Sequence, residues 1–419
     1  MNRLFYDKTV LDSGITVLSE TMATVRSVAI GIWFTVGSRD ESPADAGMSH
    51  FMEHMMFKGT PTRTAAEISQ VFDRMGAELN AFTSKESTCF YARVLDEHVD
   101  VAIEVLSDMV VASLLAEDAI GYEREVVLEE IARYEDTPED RIGDLFVGTL
   151  WPGHALGRPV LGQRETVGSF DSKQSRAFHN DYYRAPAVTV AAAGNVKHAQ
   201  VVDLISGHLD LSAERCSTRE LAVAEVSTRL NVMTRDTEQA HIAWGVNGLK
   251  ATDDDRFILS VLDTVLGGGM SSRLFQEIRE KKGLAYAVGS YHQLFDDAGL
   301  FGVYAGTRPS NAEQVVRLIQ AEVERVRTTG ITADELDLAK DALKGSLVLS
   351  MESTRARMTR LARSEITHGE ILSLDELVAR VDAVTQGDVA RLAAVLFGAP
   401  SVLAVIGPFE TKDLAHLVE

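Results

Sequence analysis

The sequence predicts an α+β fold of two homologous repeats, each a mostly antiparallel sheet with helices packed on one face. Three observations carry this. Strand-like and helix-like periodicities alternate, and neighbouring strand segments are joined as hairpins, which favours antiparallel pairing over a doubly wound parallel sheet. The same order of elements returns after about residue 225. Two sequence pairs match across the halves in that order: AGMSHFMEH (46–54) with GGMSSRLFQ (268–276), and LLAEDAIGYEREV (114–126) with ITADELDLAKDAL (331–343).

In the first half, alternation in SVAIGIWFTVG (27–37) marks a strand and GSRDESP a turn. A helical stretch follows as far as a Lys58-Gly59 stop, with Ser42 placed to cap it and Pro43 in its first turn. Met48, Phe51, Met52, Met55 and Met56 give this helix a wide apolar face. A second helix is expected near 64–76, and ELNAFTSKESTCFYARVL (78–95) reads as two strands around a polar turn. Helices near 97–112 and 116–136 and a strand at 187–196 close the half. In the second half, RLNVMTRD and QAHIAWGVNG are strand-like, while DDRFILSVLDTVLG and GGGMSSRLFQEIREKK are helical. Two strands then lead into the helix SNAEQVVRLIQAEVERV. The repeats are expected to span 1–206 and 224–419, with 207–223 as linker.

The composition, 45% hydrophobic and 25% charged over 419 residues, matches a soluble globular chain able to bury a sizeable core. With 62 acidic against 41 basic side chains the net charge is −21, which argues against a nucleic-acid binder and favours basic partners. No stretch approaches the roughly 18 consecutive apolar residues that span a bilayer, so no membrane partner is expected. The N-terminal segment lacks the pattern of a secretory or transit peptide, and a cytoplasmic location is the expectation. Two cysteines, Cys89 and Cys216, are too few for a disulfide framework and argue against a thiolate-ligated metal. LGGGM (266–270) lacks the Lys-Ser/Thr of a nucleotide loop.

The chemistry centres on His50-Phe51-Met52-Glu53-His54. On a helix His50 and His54 lie one turn apart, so both imidazoles leave the same face and reach one cation. Two histidines and one carboxylate make a catalytic zinc shell with an open position, and Glu53 beside them is placed to act as general base. The helix 116–136 offers Glu123 and Glu130, two turns apart on one face, with Glu130 the stronger candidate for third ligand.

The inverted HxxEH motif followed by EREVVLEEI (123–131) resembles the pitrilysin and insulin-degrading family of zinc peptidases. It looks most like the branch of bacterial processing proteases and the mitochondrial processing peptidase catalytic subunit. GMSHFMEHMMFKGT, LNAFTSKESTCFY and GGGMSSRLFQEIREKKGLAY extend the resemblance over nearly the whole chain. It implies a zinc endopeptidase in which His50, His54 and Glu130 bind one Zn2+, Glu53 is the base and Glu123 supports the site. It further implies that Arg279 and Tyr286 contact substrate, where a cation and a phenol donor could stabilise an oxyanion. Asn80, Ala81 and Phe82 resemble the family's substrate-binding strand edge. Phe57 matches an apolar-pocket position, and Asp140 and Asp144 match positions that meet a substrate arginine. Against His50, Glu53 and His54 the second half places Ser272, Phe275 and Gln276, and against Glu123 and Glu130 it places Lys340 and Leu347, so only the first half can bind metal.

The expected substrates are extended, basic, unfolded peptides cut near Arg or Lys. A homodimer enclosing a chamber is the expected assembly. The alternative is a non-catalytic core or assembly subunit of the same family, but such relatives typically lose motif residues, and all are present here.

Overall fold

The computed structural model of the chain describes residues 5–214, 219, 221 and 229–418. The expected linker therefore lies partly outside the described residues, and Cys216 lies wholly outside them.

The first sheet contains β1 (Asp7–Val10), β2 (Thr16–Thr21), β3 (Ser27–Phe34), β4 (Glu78–Thr83), β5 (Thr88–Leu95) and β6 (Val188–Gly194), in the order β1-β2-β6-β3-β5-β4. All neighbours are antiparallel except β2 and β6. The second sheet contains β7 (Leu230–Thr234), β8 (Ala240–Asn247), β9 (Ala285–Leu294), β10 (Gly299–Thr307) and β11 (Val402–Gly407), in the order β7-β11-β8-β10-β9. Here β7 and β11 are the one parallel pair. Apart from β1 the two sheets share one topology, strand for strand and in the placing of the parallel pair, so the duplicated sequence folds as a duplicated architecture.

Period-two side-chain alternation gives each central strand two buried faces. From β3, Val28, Ile30, Ile32 and Phe34 join the core that contains α1 (Met48–Met55), α2 (Ala65–Met75), α3 (Val99–Ala112) and α4 (Glu117–Asp136). Ala29 and Trp33 point the other way, onto Met358, Leu361 and Ala362 of the helix Thr354–His368. In the second sheet Ile242 and Trp244 pack toward the helix Ala312–Thr329, while Ala243 faces Ile142, Phe146 and Leu150 of α5 (Pro138–Leu150). Each repeat's own helices thus lie on one face. The opposite face is covered by a helix drawn from the other half of the sequence.

By internal contacts the chain forms two compact units. The first joins Met1–Ala132, Arg158–Glu220 and Ser350–Ile371; the second joins Arg133–Gly157, Leu221–Leu349 and Leu372–Glu419. Hydrophobic periodicity identifies both exchanged helices as helices but does not say which sheet receives them.

Two local expectations are corrected. The helix expected from Ser42 begins at Met48: Pro43–Asp45 is a separate 3-10 turn, and Ser42 Oγ bonds Asp45 instead of capping. The reason is Gly47, whose φ of +96° breaks the helical path before Met48. In the second half, GGGMSSRLFQEIREKK does not form one α-helix. Gly267 and Gly268 both turn their amides back to the Asp263 carbonyl, and Phe275–Glu280 winds as a π-helix.

Candidate metal centre

The site is built on α1, two turns of helix whose apolar side, Met48, Phe51, Met52 and Met55, is fully buried. That anchorage turns His50, Glu53 and His54 to the remaining side. His50 is itself 8% exposed. From α4, Val127 is buried in the same core, which directs Glu123 and Glu130 on its flanking turns toward α1.

His50 Nε2, His54 Nε2 and Glu130 Oε2 form a triangle with sides of 3.2, 3.5 and 3.7 Å. Ligands held tetrahedrally about 2.0–2.1 Å from one ion stand about 3.3 Å apart, so the triangle has the dimensions of a metal shell with one position open. These three are the group among the described residues that could hold a metal ion. Burial, with the neighbouring His54 charge adding to it, pushes the His50 imidazole down to about 3, so the ring is neutral and its lone pair is free to ligate.

Glu123 is excluded as a ligand because both its oxygens are engaged. Oε1 meets His54 Nδ1 at 2.8 Å and Oε2 meets Lys58 Nζ at 2.5 Å. Burial works to raise the Glu123 carboxyl, but the hydrogen bonds from His54 and Lys58 outweigh it and hold the group below its usual range. The contact of Glu123 with Nδ1 fixes the His54 ring so that Nε2 faces Glu130. Glu53 receives a hydrogen bond of 2.6 Å from Thr83 Oγ1 at the end of β4. Burial raises its carboxyl above the usual range against the opposing pull of Thr83 and His54, which suits a group that must take and return a proton.

Of the expected substrate residues, Asn80, Ala81 and Phe82 lie on β4, an edge strand that among the described residues pairs with β5 alone. Asn80 is exposed, and its Oδ1 accepts the Ala81 amide. Phe57 packs half-buried against the core and near Phe90. Asp140 and Asp144 belong to the second unit, on α5. Asp140 is exposed, and Asp144 is 3.8 Å from Arg141. Arg279 and Tyr286 meet within the second unit: Arg279 Nη1 donates to the Tyr286 carbonyl at 2.6 Å, and the guanidinium lies over the Phe275 and Tyr286 rings. They line a cavity of about 380 Å³ with Gln239, Thr307, Arg308 and Asn311. At the positions matching the ligands, Ser272 is buried and Gln276 donates to the Met270 carbonyl. Lys340, matching Glu123, donates to the Asp382 carbonyl.

Lys58 and Thr83 were not identified from the sequence. Lys58, four residues beyond His54, had a positional signal. Thr83 acts from the end of a strand and had none.

The family model of Insulinase (Peptidase family M16) matches residues 16–164, and that of the Peptidase M16 inactive domain matches residues 169–343. An uncharacterized zinc protease of Streptomyces coelicolor is 45% identical over 98% of this chain and 91% of its own. One of Bacillus subtilis is 43% identical over 94% of this chain and 97% of its own. A protease from Helicobacter pylori, 24% identical, superposes with a TM-score of 0.87 over 96% of this chain and 99% of its own. A peptidase M16 inactive domain from Pseudomonas fluorescens, 20% identical, gives 0.91 over 97% of this chain and 98% of its own. These two likenesses are of fold.

Proposed function

The chain belongs to the M16 peptidase family, and on that premise we propose that it is a zinc-dependent endopeptidase cutting extended, unfolded peptides near basic residues. The triangle of His50, His54 and Glu130 beside the Thr83-held carboxylate of Glu53 carries this reading.

Zinc bound there supplies Lewis acidity toward the scissile carbonyl and the attacking water. Glu53 takes the proton of that water and returns it to the leaving amine, and its burial-raised proton affinity suits both halves of the transfer. Thr83 keeps one Glu53 oxygen in place. The free edge of β4 can take peptide backbone as an added strand, which gives affinity with little side-chain selection. In this proposal Phe57 contributes apolar contact to the bound peptide and the Arg279–Tyr286 pair donates to peptide carbonyls. A net charge of −21 and the acidic pair Asp140 and Asp144 favour basic substrates. Among the described residues no helix is long and apolar enough to cross a membrane. A cytoplasmic homodimer that encloses substrate in a chamber belongs to the same proposal, and a monomer by light scattering at micromolar concentration counts against the dimer.

The test is mass-spectrometric mapping of cuts in a mixed peptide library by parent and Glu53→Gln. The variant is expected to keep its zinc and lose about 10²–10⁴-fold in rate. Cuts of equal rate in acidic and basic peptides would remove the basic preference. A parent that loads zinc and cuts nothing would turn the reading to the non-catalytic subunit.

A further inference from the structure

A helix leaves its first amides without intrahelical partners, and in α1 the first amide to bond back is that of Phe51, which donates to the Gly47 carbonyl. Its N-cap, Gly47, has no side chain to offer. The acceptors come instead from Glu41, six residues upstream and 4% exposed. Oε2 takes the Gly47 amide at 2.8 Å and Oε1 takes the Ser49 amide at 2.7 Å. Arg158 is close by, yet its Nη2 donates to the backbone carbonyl of Glu41 and not to the carboxylate. A buried carboxylate answered chiefly by amides is costly, and a serine or asparagine at the N-cap would satisfy a helix end without that cost.

The two histidines of this helix are held differently. His54 is fixed at its ring by Glu123, whereas the buried Nδ1 of His50 has no hydrogen-bond partner among the described residues. The aim of His50 therefore depends on the backbone of the first turn, in which it is the third residue. That turn is gripped from two sides. Glu41 holds the Gly47 and Ser49 amides, and the segment 161–166 holds the chain before them: Thr166 Oγ1 donates to the Ala46 carbonyl at 2.6 Å, and a Cβ on Gly47 would come within 2.8 Å of the Leu161 carbonyl.

We propose that Glu41 is a positioning residue of the metal centre, setting the start of α1 so that His50 closes the triangle with His54 and Glu130. This rests on the reading of that triangle as a zinc site. It is tested by zinc affinity, measured by competition with a chromophoric chelator, and by the visible spectrum of the Co2+-substituted protein. The proteins are the parent, Glu41→Gln, Glu41→Ala and, as a cap removed from a different helix, Thr64→Ala, whose side chain accepts the Glu67 amide at the start of α2. Glu41→Gln keeps the volume and one acceptor, so it reads the geometry even where Glu41→Ala fails to fold. Glu41→Gln is expected to bind zinc about 10–100-fold more weakly and to shift the Co2+ bands with its far-ultraviolet circular dichroism unchanged. Thr64→Ala is expected to lower stability without changing either readout. Zinc affinity of Glu41→Gln within twofold of the parent overturns the inference, as does an equal loss in Thr64→Ala. A parent that binds no zinc overturns the metal centre itself.

Discussion

Glu123 and Glu130 stand on one face of one helix and do different work because their neighbours differ. Glu130 offers an oxygen to two imidazole nitrogens, while Glu123 is used up between His54 and Lys58. Lys58→Met is therefore expected to leave all three ligands in place and weaken zinc binding about 10-fold or more, because Glu123 loses the partner that fixes it against His54. Chelator competition measures this, and unchanged affinity would show that Glu123 needs no such anchor. A second residue-scale prediction concerns pH. In the second unit Arg273 meets Glu335 through two bonds of 2.7 Å. These hold the Glu335 carboxyl down at about 2 from an ordinary 4.5. Between those values the unfolded chain binds more protons than the folded one, so this stabilisation is present above about pH 4.5 and is lost as pH falls toward 2. The gap in denaturation midpoint between parent and Glu335→Gln should be wider at pH 6 than at pH 3. A gap independent of pH would contradict the pairing.

At the scale of elements, short pieces acquire their roles from what packs on them. Helix α1 is only eight residues long and would not persist alone in water, so its conformation comes from its buried methionine face and its borrowed cap. The helix Thr354–His368 seals the second face of the first sheet with Met358, Leu361 and Ala362. Leu361 is fully buried, and Leu361→Ala should cost about 2–5 kcal/mol of stability, read from denaturant unfolding. A cost under about 1 kcal/mol would mean that this face does not depend on the helix.

At the scale of the whole molecule, the two repeats are duplicated in topology yet unequal in chemistry. The first carries the ligand triangle, and the second places Ser272, Gln276 and Lys340 at the matching positions. The exchange of α5 and Thr354–His368 means that neither linear half contains everything that covers its sheet. Residues 1–206 expressed alone should expose the face carrying Leu18, Ala29, Trp33 and Ala193, bind a hydrophobic dye and aggregate, whereas the full chain should not. A monomeric, dye-silent fragment would contradict this.

The sequence by itself determined the two mostly antiparallel repeats and the helix carrying HxxEH, and it offered Glu130 as the candidate third ligand and a second half without those motif residues. These depend on periodicity, spacing and residue type, which are local properties. The tertiary structure alone decided that Lys58 anchors Glu123, that Thr83 holds Glu53, that Glu41 and not Ser42 satisfies the start of α1, and that each sheet takes a helix from the other half. Each of these pairs groups distant in sequence or on separate elements, and periodicity records which face of an element is apolar, not which surface will bury it.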